Sequence, residues 1–342
     1  DIPLNVSRSY LQSDSAVKKI SGYITKKVSG RLEELFKADR AEFEKKWDDI
    51  RLFIVYGMLT DEKFCDAALK FMLLRDTENR YFTAEEYKKL VEAEQTDADG
   101  NIIYLYATDP VAQYSYIKAA NDKGYNVLLL DGQLDNHFVG LLEQKFEKTR
   151  LVRVDSGVID QLIRKAGRKE ADLTPLQRNI LTGIFSSQLP TVEKTNFLVS
   201  FEAMAPGDAP IVITQEEFMR RMKEMAAMNP GMNFYGELPD SYNLVVNTEH
   251  PLIVALRDKA GKELDSEVRP LADSIDSDNA AISEIRKAAG DKAPDAEGEQ
   301  KIKELEKAVG ETRERQNKIV ADYAAGQPVV KQLIDLALLG NG

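Results

Sequence analysis

From residue 17 to residue 76 the apolar positions recur every three or four residues. Ile20, Tyr23, Ile24, Val28, Leu32, Leu35 and Phe36 follow that spacing, which places them on one face of an amphipathic helix. Further helical turns are expected from Glu42 to Leu59 and from Thr60 to Leu74, with Thr60 as N-cap and Gly30 and Gly57 as candidate breaks. After Tyr81 the period changes. Thr83-Ala84-Glu85-Glu86 has the capping-box form. Asn101 to Thr108 is a run of β-branched and aromatic residues, and Val111 to Lys123 reads as a helix closed by Gly124. Tyr125 to Leu130 is nearly continuous in apolar residues, as a strand covered on both faces should be. A helix from Leu134 to Phe146 and a strand from Leu151 to Val154 complete a βαβαβ order, hence a small parallel sheet with right-handed crossovers.

A third region opens at Thr174-Pro175-Leu176-Gln177, which combines an N-cap, a proline at the first helical position and a capping-box Gln. Asn196 to Phe201 reads as a strand. Thr214-Gln215-Glu216-Glu217 is another capping box, opening a helix with Phe218, Met219, Met222, Met225 and Met228. A strand at Val245-Val246 leads to His250-Pro251, a second helix start. Arg257 to Asp322 holds no aromatic residue. Val268, Leu271, Ile275, Ile282 and Ile285 fall on a heptad seam, as do Ile302, Leu305, Val309, Ile319 and Tyr323. Between the seams lies Gly290-Asp291-Lys292-Ala293-Pro294, a linker composition, and Glu299/Lys303, Glu311/Arg315 and Glu314/Lys318 are favourable i,i+4 pairs. A projecting antiparallel pair of long helices is expected, with disorder as the competing reading. After Pro328 the chain closes on Val329, Val330, Leu333, Ile334, Leu336, Ala337, Leu338 and Leu339, an apolar helix that needs burial, a partner subunit being the expected place. The fold class is mixed α+β and α/β: a helical connector, a small αβα sandwich with a parallel sheet, then an α+β domain with a long helical hairpin.

Composition narrows the chemistry. At 342 residues, two or more domains are expected. Against 57 Asp and Glu stand 46 Lys and Arg, a net charge of −11 that argues against general nucleic-acid affinity. No apolar run approaches the roughly 20 residues of a membrane helix. The chain starts at Asp1 without methionine or signal peptide and reads as a piece of something longer. Cys65 is the one cysteine and His137 and His250 are the only histidines, so a disulfide framework and a cysteine- or histidine-rich metal site are excluded. Cys65 sits in an apolar helical pattern and reads as a small buried side chain; His250 reads as a helix-start residue. The first βα loop, Thr108-Asp109-Pro110-Val111, has no glycine-rich turn, so neither a dinucleotide fingerprint nor a P-loop is present. There is no Gly-x-Ser-x-Gly elbow. The methionine-rich helix reads equally as core packing or as an exposed, deformable surface.

The first twelve residues, Asp1-Ile2-Pro3-Leu4-Asn5-Val6-Ser7-Arg8-Ser9-Tyr10-Leu11-Gln12, resemble the catalytic-loop motif in the middle domain of the ninety-kilodalton heat-shock chaperone family, with Ser9 where Glu is usual. The resemblance continues collinearly through Trp47–Asp61, Ile102–Leu105, Asn126–Asp131, Leu134–Phe138, Lys148–Val152 and Val246–Pro251, while residues 265–325 look longer than in familiar members. It implies an ATP-dependent chaperone of bacterial type that is cytoplasmic, stress-responsive and binds unfolded client proteins, with neither nucleic acid nor membrane as partner. Arg8 would reach the γ-phosphate of Mg-ATP held mainly by a separate N-terminal domain, with Asn5 and Gln12 supporting the loop; a guanidinium fork suits that task. This polypeptide alone would have negligible ATPase activity.

By the same resemblance residues 1–76 would be the end of the large middle subdomain and a helical connector, 78–168 the small middle subdomain, and 172–342 the C-terminal dimerisation domain, with 265–325 an extended insertion. His137, Phe138, Phe218, Met219, Met222 and Met225 would contribute to the client surface. Leu333, Ile334, Ala337 and Leu338 would lie at the two-fold interface of a homodimer. Two readings compete with the chaperone: a non-catalytic dimeric scaffold that uses its charged hairpin, and an α/β enzyme with a site at the carboxyl ends of the first two parallel strands.

Overall fold

The computed structural model describes residues 15–165, 170–215, 220–223, 239–289 and 294–340, with side chains from residue 19 onward. The chain divides into two compact units, residues 1–166 with 221–232, and residues 167–220 with 233–342.

The first unit begins with three helices: α1 (Ser15–Ala38), α2 (Arg40–Thr60) and α3 (Glu62–Ala68). Their breaks fall at aspartates and not at glycines. Asp39 accepts the Glu42 N–H and Asp61 accepts the Phe64 N–H, each satisfying a donor that a helix start leaves unpaired. Asp61 therefore caps α3, and Thr60 lies in the last turn of α2, its hydroxyl donating to the Tyr56 carbonyl at 2.8 Å. Gly57 lies inside α2 for a packing reason: a Cβ there would sit 2.7 Å from the Phe64 ring.

The helical reading overshoots beyond Leu69. The chain instead forms an antiparallel pair, β1 (Leu74–Arg75) and β2 (Tyr81–Phe82). Asp76, fully buried, organises that turn. One of its carboxylate oxygens accepts the Glu78 and Arg80 N–H groups, and the other accepts Arg80 Nε and Asn126 Nδ2. Local carboxylate-to-backbone bonding of this kind outcompetes helix.

Next come α4 (Ala84–Val91), β3 (Ile102–Ala107), α5 (Tyr114–Asp122), β4 (Val127–Leu129), α6 (Asp135–Lys145), β5 (Thr149–Arg153) and the short α7 (Ile159–Leu162). The Thr83–Glu86 capping box forms with both of its hydrogen bonds. The strands pair in parallel in the order β4-β3-β5, with β3 buried along its whole length. Gly124, at φ +78°, ends α5 in the left-handed conformation that glycine adopts without steric cost. One apolar core runs from Trp47 on α2 and Phe71 through Tyr87 on α4 and Tyr104 on β3 to Phe138 and Leu142 on α6, so it crosses residue 77 without interruption. The Tyr87 and Tyr104 rings meet edge to face at 4.8 Å. A charge cluster closes the same core. Arg51 on α2 pairs with Asp131 at 2.9 Å and with Asp135, while Arg75 pairs with Asp131 and with Asp48 at 2.9 Å each.

The second unit contains α8 (Pro175–Gln188), β6 (Thr195–Glu202), β7 (Ile211–Gln215), β8 (Asp240–Asn247), α9 (Pro251–Ala289), α10 (Ala296–Ala325) and α11 (Pro328–Leu339). The sheet order is β6-β8-β7, with β6 parallel and β7 antiparallel to β8. Thr174 and Gln177 form the expected capping box at α8. Thr214 and Gln215 lie in β7, so they open no helix, and Glu216 and Glu217 fall outside the described residues. The long hairpin is helical on both arms. Val268, Ile275 and Ile282 on α9 and Ile302, Val309 and Gln316 on α10 are buried at seven-residue spacing, the seam of two helices packed side by side. Its ion pairs among the described residues include Asp265–Arg269, Lys301–Glu304, Lys307–Glu311 and the cross-hairpin Arg286–Glu306, and the three read from spacing are not among them. The core gathers Ile184 and Phe185 of α8, Leu244 and Val246 of β8, Ala260 and Val268 of α9, Val320 of α10 and Ile334 of α11.

Two tests follow from this packing. A Cβ on Gly183 of α8 would lie 2.8 Å from a methyl of buried Val320, whereas Gly310 of α10 has open space around it. Gly183→Ala should destabilise the chain by about 1–3 kcal/mol through overpacking, with Val320→Ala restoring part of the loss. Gly310→Ala should stabilise it by up to about 1 kcal/mol; denaturant unfolding reads both. Arg51 and Asp135 side chains are only 14% and 6% exposed, so Arg51→Ala should cost about 3–5 kcal/mol by leaving a buried carboxylate without its partner. Burial already pushes the Asp135 carboxyl above its ordinary value, against the pull of Arg51. Without Arg51 it rises further. A carboxyl raised in the folded state loses stability as pH climbs from its unfolded value to its folded one, so the deficit of this variant should be largest at pH 7 and shrink on acidification toward about pH 4.

Candidate functional site

Arg8, Asn5 and Gln12 lie outside the described residues, as do Phe218, Met219 and Met225. Met222 belongs to the helical residues 220–223 and is half-buried. Its neighbour Arg221 packs on the first unit, donating from Nη2 to the Leu151 carbonyl at 2.8 Å and lying 3.5 Å from Glu143 Oε2. Glu143 Oε1 accepts the Leu151 N–H at 2.8 Å. Two side chains thus occupy both backbone groups that Leu151 turns away from β3.

On α6 the buried positions are Asp135, Phe138, Val139 and Leu142, the i, i+3, i+4, i+7 face of a helix against its core. His137 points outward and is exposed; Phe138 is 3% exposed and belongs to the core. The expectation that Phe138 offers apolar surface is therefore corrected: adjacent residues on a helix stand about 100° apart, and only one of this pair can face solvent. A tighter use of the helical period would have separated them.

The carboxyl ends of the parallel strands are where an α/β fold binds ligands, and here they are closed by the chain's own side chains. Gln113 Oε1 accepts the Thr108 and Asp109 N–H groups at 2.8 and 3.0 Å, and Asp109 Oδ1 accepts those of Val111 and Ala112. After β4, Asp135 accepts the Gly132 N–H at 2.8 Å while engaged with Arg51. After β5, Arg153 is paired with Asp155. The backbone donors of Thr108, Asp109, Val111, Ala112 and Gly132 are thereby taken. No group of three or more potential metal ligands occurs among the described residues, and none of their helices is long and apolar enough to cross a membrane. His250 serves at a helix start, its Nδ1 accepting the Leu252 N–H at 3.2 Å. Burial pushes the Cys65 thiol up, away from reactivity.

In the second unit an open cleft of about 830 Å³ lies between α8, α9 and α10. Its floor is apolar, with Ile180, Ile275 and Val320, and it carries the buried Gln316, whose Nε2 has no hydrogen-bond partner. Its lining also includes the charged residues Arg269, Asp273, Asp276 and Arg313.

The last helix shows both of its faces. Val330, Leu333 and Ile334 are buried in the chain's own core, and Ala337 and Leu338 pack partly against it. Leu336 and Leu339 are 65% and 77% exposed. Of the four residues assigned from sequence to a two-fold interface, Leu333 and Ile334 thus find their burial within the chain, and the outward apolar residues are Leu336 and Leu339. Sequence reasoning picked apolar positions without dividing them by face; the signal was the polar company of Leu336 and Leu339, namely Gln332 and Asp335.

A family model described as Hsp90 protein matches residues 1–317. The chain is 51% identical over 345 residues to the chaperone protein HtpG of Bacteroides thetaiotaomicron, with all of this chain and 50% of that protein aligned. It is 52% identical over 353 residues to that of Porphyromonas gingivalis strain W83, again with all of this chain and 50% of the relative. HtpG of Alcanivorax borkumensis is 29% identical over 265 residues, covering 75% of this chain and 39% of the relative. The chain spans about half the length of the curated relatives it matches most fully. Since residues 1–317 fit one family model and the whole chain aligns with these relatives at about half identity, the chain belongs to the Hsp90 family.

Proposed function

We propose that this chain supplies the client-handling and dimer-forming part of an ATP-driven, HtpG-like chaperone. The observation that carries the reading is the alignment of the whole chain with HtpG chaperones at about half identity. Mg-ATP would be bound mainly by the part of such a protein that precedes these residues, and Arg8, by its place in the family motif, would contribute charge to the γ-phosphate, with Asn5 and Gln12 beside it. Neutralising charge on a transferring phosphoryl group is work a single guanidinium does well. The side chains that occupy the strand ends of the αβα unit support a reading in which that unit carries no catalytic site of its own, the catalytic contribution of this half coming from the Arg8 loop.

The homodimer would form through α11. Its inner face already belongs to the core, so the outward Leu336 and Leu339 are what a second copy would cover. Two exposed leucines on one helix, met by the same two across a two-fold axis, make a self-complementary apolar patch. Client proteins in unfolded form would be held on a surface to which the half-buried Met222 and the exposed His137 would contribute.

Two measurements test the proposal. The chain should sediment as a dimer at micromolar concentration, and Leu336→Asp with Leu339→Asp should give a monomer that still unfolds cooperatively; a monomeric unmodified chain would refute the interface. Joined to the upstream half of an HtpG relative, the chain should support ATP turnover that Arg8→Ala lowers on the order of a hundredfold with little change in ATP binding. Turnover unaffected by that substitution would remove Arg8 from the mechanism.

A further inference from the structure

The sheet of the second unit has an edge that the other described residues leave open. β6 pairs with β8 over eight unbroken registers, from Thr195↔Asp240 to Glu202↔Asn247. The bonds at its two ends fix which backbone groups point where. The Lys194 carbonyl accepts from Asp240 N at 2.8 Å and the Glu202 carbonyl accepts from Thr248 N at 2.9 Å. In a parallel pair the N–H and C=O of one residue point to the same side and alternate along the strand. The even-numbered residues therefore face β8, and Phe197, Val199 and Phe201 turn their backbone donors and acceptors outward. None of these outward groups has a hydrogen-bond partner among the described residues.

The chain treats its other edges differently. On β5, Leu151 has its N–H taken by Glu143 and its C=O by Arg221. β7 lies against α11. Between Lys194 and Glu202, by contrast, β6 carries no proline, no charge and no bulge, the devices by which exposed edges are usually blunted. Its side chains suit pairing as well. Leu198 is 59% exposed on one face, and on the other the Phe197 ring stacks on Tyr242 at 5.7 Å with Val199 half-buried beside it.

We infer that β6 is a docking edge for an extended segment of a non-native polypeptide, which adds to the sheet as a fourth strand. This rests on the chaperone reading given above. The chemistry of the edge selects the occupant: N–H and C=O groups repeating at roughly 6.6–6.8 Å are matched by another strand and by little else. Because the outward backbone groups belong to any sequence, recognition is general. Selectivity comes from alternation, since an added strand with apolar residues at every second position extends the Phe197–Val199–Phe201 face. A second copy of the chain fits less well. A dimer closed through α11 that also paired edge to edge through β6 would run on as an open filament.

The test uses the full chain and a ten-residue peptide of alternating valine and threonine, with a twin N-methylated at every second amide. At saturating peptide, hydrogen exchange at the Phe197, Val199 and Phe201 amides should slow at least tenfold, while Leu198 and Ser200, already bonded to β8, change little. The methylated twin in the register that removes its inward N–H groups should bind about tenfold more weakly. Val199→Pro deletes an outward N–H without costing a β8 bond and should weaken peptide binding similarly; Leu198→Lys, which places a charge on the edge, is the second variant should the proline disturb folding. Unchanged exchange at the three odd-numbered amides with peptide bound elsewhere overturns the inference. So does slowing that rises with chain concentration in the absence of peptide, which would make a second copy the occupant. Peptide protection of the edge in a chain that fails to suppress client aggregation would sink the chaperone reading and leave strand addition standing; full suppression with no edge protection would do the reverse.

Discussion

Two largely buried guanidinium groups decide what the first unit can be. Arg51 and Arg75 reach from the helical layer and from β1 to a shared carboxylate, Asp131, just past the carboxyl end of β4, with Asp135 and Asp48 completing the cluster. Charges so placed cannot be left unpaired, because several kcal/mol of desolvation per ion would go uncompensated. Their mutual satisfaction ties α2 to the mouth of the parallel sheet. It also fills the position at which an α/β fold ordinarily takes a ligand.

That constraint moves function to the periphery. With the strand ends sealed by Gln113, Asp109 and Asp135, the groups left free to act are backbone edges and helix faces. They differ in kind. A helix face such as that of Leu336 and Leu339 is recognised through shape and apolar area, and so favours one defined partner. A strand edge is recognised through groups common to every polypeptide, and so favours many. On the function proposed above, the chain would use one surface of each type, the first for a copy of itself and the second for unspecified chains.

Much of the fold was legible because short-range rules dominate it. The capping boxes at Thr83 and Thr174, the glycine after α5, the parallel βαβαβ unit and the heptad arms of the hairpin all rest on residues a few positions apart, and each appears where its pattern lies. What escaped the sequence depends on partners far along the chain. Asp76 stops the helical pattern by gathering donors that include Asn126, fifty residues away. The helix breaks sit at Asp39 and Asp61 because a capping carboxylate supplies what a glycine lacks. Phe138 and His137 were grouped as surface because apolarity was read without its phase, and the same omission placed Leu333 and Ile334 outside the core they help to build. The open edge of β6 leaves no mark in sequence at all, since an edge strand and an inner one can be written with the same residues, and only the register shows which backbone groups go unmet.

Gln316 is where the long hairpin departs from its hydrocarbon seam. It occupies a seven-residue seam position that Ile302 and Val309 fill with hydrocarbon. A polar residue there costs stability, the more so because its Nε2 is buried without a hydrogen-bond partner. The seam at this level is also where α8 comes closest, Gly183 having no side chain to hold Val320 away. The base of the hairpin thus joins the core through a close helix contact, while the seam beyond it is hydrocarbon at Ile275, Ile282, Ile302 and Val309.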